Sequence, residues 1–160
     1  MLSDEIFFQW SPDCNVGINA IDDQHRVLVN TLNRLCVAVS KHEGDKVITG
    51  VFDALISYTR IHFTLEERLM RHAKHEYLDA HIKEHKKLVE QLNQLYKKHL
   101  LEDDPIYYDL MEFLKSWLIE HIQGMDKQFG VYLQQTGLSV DEWEREAIAE
   151  FKLVPNNKIR

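Results

Sequence analysis

Four long stretches of this chain repeat apolar side chains at spacings of three and four, and almost nothing inside them breaks the repeat. The first, from about Asp22 to Lys41, lines up Ile21, Leu28, Leu32, Leu35, Cys36 and Val39. The second, from about Asp45 to Arg71, lines up Val51, Leu55, Tyr58 and Leu69. The third, from about His75 to Leu101, carries Leu78, Leu88, Leu92 and Leu95. The fourth opens at Asp104-Pro105, an N-cap followed by a first-turn proline. It carries Tyr107, Leu110, Leu114, Trp117 and Met125 and runs to about Gln135. Each stripe has the helical period. Six glycines and three prolines in 160 residues are about half the average share, so the connections are short. Long helices with short connections pack as antiparallel neighbours, which predicts an all-α, up-down-up-down antiparallel four-helix bundle.

Beyond the fourth stretch, Gly137 reads as a helix stop and Ser139 to Glu142 has capping-box spacing. Val140, Trp143, Ala147, Ile148 and Phe151 then form the stripe of a short fifth helix ending before Pro155. The expected division is a bundle with an N-terminal arm over residues 1–136 and a C-terminal extension over residues 137–160. That extension either docks on its own bundle or serves as a protein-partner or dimer contact.

Nineteen Lys and Arg against 26 Asp and Glu give a net charge of -7, which leaves no electrostatic footprint for nucleic acid or an anionic membrane surface. No apolar run approaches the roughly 20 residues of a membrane span, and the first ten residues, MLSDEIFFQW, are acidic where a secretory signal is basic. Two cysteines make no disulfide framework. Cytoplasmic location is expected, with Cys36 an inert core thiol and Cys14 in the arm.

The polar residues on the apolar stripes carry the chemistry. Burying an imidazole or carboxylate without a partner costs several kcal/mol. Yet His62 and Glu66, and again His81 and His85, sit at i and i+4 on core faces, about 40° apart on adjacent turns. The first stripe adds His25 and the fourth adds His121 and Asp126. The last two are five residues apart, about 140° on a regular helix, so they share a centre only if the helix widens or Asp126 reaches round.

Seven ligands at similar depth exceed one tetrahedral zinc, and the absence of thiolate disfavours structural zinc or an iron-sulfur cluster. Five imidazoles and two carboxylates suit two octahedral iron ions. If both carboxylates bridge, the protein fills nine of twelve coordination positions; a bridging oxide or hydroxide fills two more, and one stays open for a small ligand. The remaining histidines, His42, His72, His75 and His99, fall near expected helix ends, where a cation is favourable.

The chain resembles the hemerythrin family from about Trp10 to Leu133, and within it the single-domain bacterial members. The residues that carry the likeness are Trp10, Val16-Gly17-Ile18, Ile21-Asp22 and Gln24-His25, then His62-Phe63, Glu66-Glu67 and Met70. They continue through His81, Glu84-His85 and Leu88 to Trp117-Leu118, His121-Ile122 and Asp126-Lys127. The stretch from Arg71 to Asp79 departs from the family's Gly- and Pro-containing turn. The resemblance implies that His81, His85 and His121 hold one iron, that His25 and His62 hold the other, and that Glu66 and Asp126 bridge both. It implies dioxygen bound end-on as hydroperoxide at the two-histidine iron, for oxygen storage, delivery or local supply. Leu118 and Phe63 become candidate walls of the oxygen pocket, and Tyr58 is read as a core aromatic.

Binding rather than catalysis is therefore expected. Two other classes stay open: a diiron oxidase or peroxidase, and an oxygen or redox sensor acting through a partner protein. Carboxylate-rich diiron enzymes present Glu-x-x-His pairs, a pattern that five imidazoles and two carboxylates do not match.

Overall fold

The computed structural model describes residues 7–101 and 106–152, with side chains as far as residue 149. A short 3-10 turn, Pro12–Cys14, precedes α1 (Asn19–Ser40), α2 (Gly44–His72) and α3 (Leu78–Leu101). The fourth rod is continuous but not uniform: α4 (Tyr107–Trp117) passes into a π-helical segment (Leu118–Asp126) and then α5 (Lys127–Thr136). Gly137 ends the rod in the left-handed conformation at φ 66, and α6 (Asp141–Lys152) follows. The described residues contain no strand, and none of their helices is long and apolar enough to cross a membrane.

α1 packs on α2, α2 on α3, α3 on α4 and α4 back on α1. Thr49 meets His99, Asp53 meets Tyr96 and Glu67 meets His85, so α2 and α3 run in opposite directions. Lys98 with Asp109, His85 with His121 and His81 with Asp126 give the same relation between α3 and the fourth rod.

Two apolar clusters fill the interior. The larger is built around Leu32, Leu35, Val51, Phe52 and Leu110. The smaller is built around Ile21, Leu65, Leu69, Met70 and Phe129 and includes Trp143 and Ala147 of α6. His25 falls between Ile21 of one cluster and Leu28 of the other, and Asp126 between Phe129 and Ile122. The polar layer is thus shielded from water along the bundle axis on both sides.

Several sequence expectations shift. α3 begins at Leu78, not His75, and lies shallower than its neighbours: of its stripe only His81, His85 and Leu92 are buried, while Leu78, Leu88 and Leu95 are half-buried. Met125 is only half-buried, because the wider π segment turns it away from the interior. In α6, Trp143 and Ala147 are buried but Ile148 is exposed. The helix starts at Asp141 with the Val140 carbonyl accepting from the Glu144 amide, so Val140 rather than Ser139 takes the cap position. The Asp104-Pro105 start signal, Pro155 and the side chain of Phe151 lie outside the described residues.

The turn between α2 and α3 manages without glycine: Lys74 takes the left-handed conformation at φ 54. His75 in that turn is no helix-end cation. It is buried against Phe129, Tyr132 and Tyr77, and burial pushes its pKa down, so the ring is neutral.

Both cysteines are free and buried. Burial pushes the Cys36 thiol up to about 11, and the thiolate is the nucleophile. Iodoacetamide near about pH 8 is expected to label Cys36 only after unfolding; labelling of the native chain at the rate of a free thiol would contradict this.

Candidate metal centre

All seven residues singled out from the stripes meet in one buried layer, none more than 4% exposed. They form two groups: His81, His85 and His121 with Glu66 and Asp126, and His25 and His62 with the same two carboxylates. Within each group one ligand atom per residue lies within 4.8 Å of the others.

Helical spacing brings them there. His62 and Glu66 lie one turn apart on α2, with His62 Nε2 3.2 Å from Glu66 Oε2. The other Glu66 oxygen is 3.2 Å from His81 Nε2. Asp126 presents Oδ1 to His81 at 2.9 Å and to His121 at 3.1 Å, and Oδ2 to His25 at 3.0 Å. The five-residue step from His121 to Asp126 is one turn of a π-helix, so the local widening places both on one face.

The donor set fits metal ions. Both Glu66 oxygens and Asp126 Oδ2 are buried without a hydrogen bond of acceptable geometry, as is His25 Nδ1. Leaving such oxygens unsatisfied is costly, and a cation relieves that cost. The imidazole nitrogens make the same point: His25 and His62 approach Nε2 to Nε2 at 3.0 Å, and so do His85 and His121. Adjacent ligands on one octahedral ion, at bond lengths of about 2.1 Å, lie about 3.0 Å apart. A shared proton satisfies one ring pair; a metal ion also satisfies the carboxylates.

Two side chains unassigned by the sequence fix the rings. Gln24 Oε1 accepts from His62 Nδ1 at 2.6 Å, and Glu67 Oε1 accepts from His85 Nδ1 at 2.7 Å. A proton held on Nδ1 leaves the Nε2 lone pair pointing into the layer, the state a metal requires. Losing the Glu67 contact in Glu67→Ala is expected to weaken metal affinity by about 10- to 100-fold. Glu67→Gln, which keeps an acceptor oxygen, should lose less. A competition titration against a chelator measures both, and equal affinities in all three chains would contradict the assignment.

Charges balance inside the layer. Burial and the Asp126 charge push the Glu66 carboxyl up, but the imidazoles of His62 and His81 bring it down to about 2. Burial also opposes ionisation of Asp126, yet the His121 charge and the close approach of the His121, His25 and His81 imidazoles hold it well below the usual range. Burial alone would lower His81, but Asp126 and Glu66 raise it to about 10. Asp126 likewise raises His121 against its burial. His62 is depressed, chiefly by burial, and is neutral.

Phe63 lies flat on His85, ring centroids 3.7 Å apart, and meets Trp117 edge-on; Trp117 in turn stacks beside His121. Leu118 is buried where the π segment begins. Tyr58 is buried in the larger cluster. Phe63 thus sits foremost against the three-histidine half. That half also borders a cleft of about 520 Å³ between α2 and α3, which ends on Phe63, Glu67 and His85.

Comparison with known proteins gives one consistent result. The Hemerythrin HHE cation binding domain matches residues 16–133. A bacteriohemerythrin of Stenotrophomonas maltophilia is 31% identical over 137 residues, 86% of this chain and 86% of that one. One from Methylococcus capsulatus is 34% identical over 116 residues, 72% of this chain and 86% of its own. A myohemerythrin of Theromyzon tessulatum is 26% identical over 122 residues, 76% of this chain and 90% of its own.

Proposed function

The chain belongs to the hemerythrin family, and from that premise we propose that it binds dioxygen reversibly at a non-haem centre of two iron ions. Family membership supports a diiron, oxygen-binding protein. The observation that carries the fuller reading is that Glu66 and Asp126 belong to both ligand groups, as carboxylates spanning two ions do. In this reading His81, His85 and His121 would hold one iron and His25 and His62 the other, with Glu66 and Asp126 shared between them. Two such ions would supply the two electrons that reversible binding of dioxygen draws on, and the two-histidine side offers the fewer protein donors.

This chain's own residues make such a reaction reversible. Gln24 and Glu67 hold protons on Nδ1 and keep the Nε2 lone pairs directed inward. The apolar clusters on either side exclude the water and protons that favour irreversible oxidation. Phe63 and Leu118 present buried apolar walls on the larger-cluster side, which favours a small gas over an organic substrate as the ligand there. Two free thiols suit a cytoplasmic protein.

Loading with ferrous iron under nitrogen is expected to retain about two ions per chain after desalting. The loaded chain is then mixed with dioxygen and an excess of a mild reductant. A carrier consumes little beyond its own stoichiometry, whereas steady multiple turnover would establish an oxidase and overturn the proposal.

A further inference from the structure

Helix α6 begins at Asp141, beyond the residues the family domain matches, and packs across α1 and α2, the helices that bear His25, His62 and Glu66. We propose that α6 is a clamp on the two-histidine half of the centre, with Trp143 and Glu144 as its positioning residues. This rests on the diiron reading above.

Three contacts carry the inference. Trp143 is buried and its indole Nε1 donates to the Leu65 carbonyl at 3.0 Å. Leu65 stands within the single turn of α2 between His62 and Glu66. A backbone carbonyl has two lone pairs, so this bond adds to the helix rather than replacing one of its own. Second, α1 starts without a side-chain cap, since Ile18 occupies the N-cap position. The Ala20 amide, one of the helix's orphan donors, is met by Glu144 Oε1 at 3.4 Å, and a carboxylate there also favours the helix dipole. His25 follows little more than a turn later. Third, Ala147 is fully buried in the cluster that includes Ile21, Leu65 and Leu69, the residues flanking His25 and Glu66 along α1 and α2.

The effect is one-sided. Two of the other three histidines come from α3 and the third from the π segment, on rods that α6 does not chiefly contact. Loosening α6 should therefore release the iron held by His25 and His62 first and leave the other, which shares Glu66 but keeps three histidines on those rods, the more tightly held, an asymmetry that general destabilisation would not produce.

The test uses the full chain and two mild variants, Trp143→Phe, which removes the indole N–H while keeping an aromatic ring, and Glu144→Gln. Iron-loaded proteins are challenged with a ferrous chelator and the release of each ion is timed. In parallel, amide hydrogen exchange is followed by mass spectrometry with and without iron. The expected result is one ion released about tenfold faster, with the second, which shares Glu66, accelerated far less. Faster exchange should be confined to residues 19–25 and 60–66, with residues 81–85 and 118–126 unaffected. Equal acceleration of both ions, uniform loosening of all four rods, or no change would each overturn the clamp. Failure of the unaltered chain to hold two irons would instead count against the diiron reading, while the exchange pattern without iron would still decide the clamp.

Discussion

Iron loading of a Glu66→Ala chain is expected to fall from about two ions to fewer than one, with affinity for both ions lowered by more than about a hundredfold. Each histidine donates one nitrogen within one group, but Glu66 reaches both: Oε2 is 3.2 Å from His62 Nε2 and Oε1 is 3.2 Å from His81 Nε2. Losing His81 takes one donor from one ion; losing Glu66 takes one from each, together with the negative charge that offsets them. Since Glu66 is fully buried, its removal also disturbs the charge balance with His81. Glu66→Gln is therefore the second arm, preserving shape and one weak oxygen donor while removing the charge. Metal analysis after desalting, with circular dichroism to confirm the helices, separates loss of iron from loss of fold. A well-folded Glu66→Ala chain that still held two ions tightly would remove Glu66 from the centre.

Gly130→Ala is expected to destabilise the chain by about 3 kcal/mol or more, lowering the thermal midpoint by about 6–12 °C. A Cβ built on Gly130 would lie 2.0 Å from the Val16 carbonyl oxygen and 2.8 Å from Val16 Cγ1. The obstacle is backbone, so no rotamer change relieves it. The Val16 segment is itself held, since the Asp22 carboxylate accepts from the Val16 amide at 2.7 Å and from Gly17 at 3.2 Å. Relief of the clash must therefore pull the arm from α1 or push α5 outward, just beyond Asp126. Gly124→Ala is the matched control. It is exposed, nothing lies within 4 Å of its added Cβ, and its midpoint should hardly move. Calorimetry that found the two variants alike would contradict the close approach.

The members of the buried polar layer are readable in the sequence wherever their partners share a helix. His62 with Glu66 and His81 with His85 stand one turn apart, and a regular helix already aims them together. His121 and Asp126 exposed the limit of that rule: their spacing demanded a departure from the α-helix, and the π segment is that departure. The same widening explains why Met125, placed on the core stripe by regular periodicity, is only half-buried. Residues whose roles depend on another helix left no local trace. Gln24 meets a ring 38 residues away and Glu67 one 18 residues away, and neither spacing distinguishes a ring holder from a surface amide or acid. Gly130 carries no local signal either, because the atom that excludes a side chain belongs to Val16. His75 was misread for a related reason. Its burial comes from Phe129 and Tyr132 on another rod, which no count along its own segment reveals.

The visible spectrum of the ferrous-loaded chain, recorded as dioxygen is admitted, withdrawn under vacuum and admitted again, is the most direct test of reversible binding at the paired site. A coloured oxygenated form that bleaches on removal of the gas and returns through repeated cycles, with one dioxygen taken up per two irons, is the result expected of a carrier. Immediate conversion to a ferric form that vacuum does not reverse would contradict it.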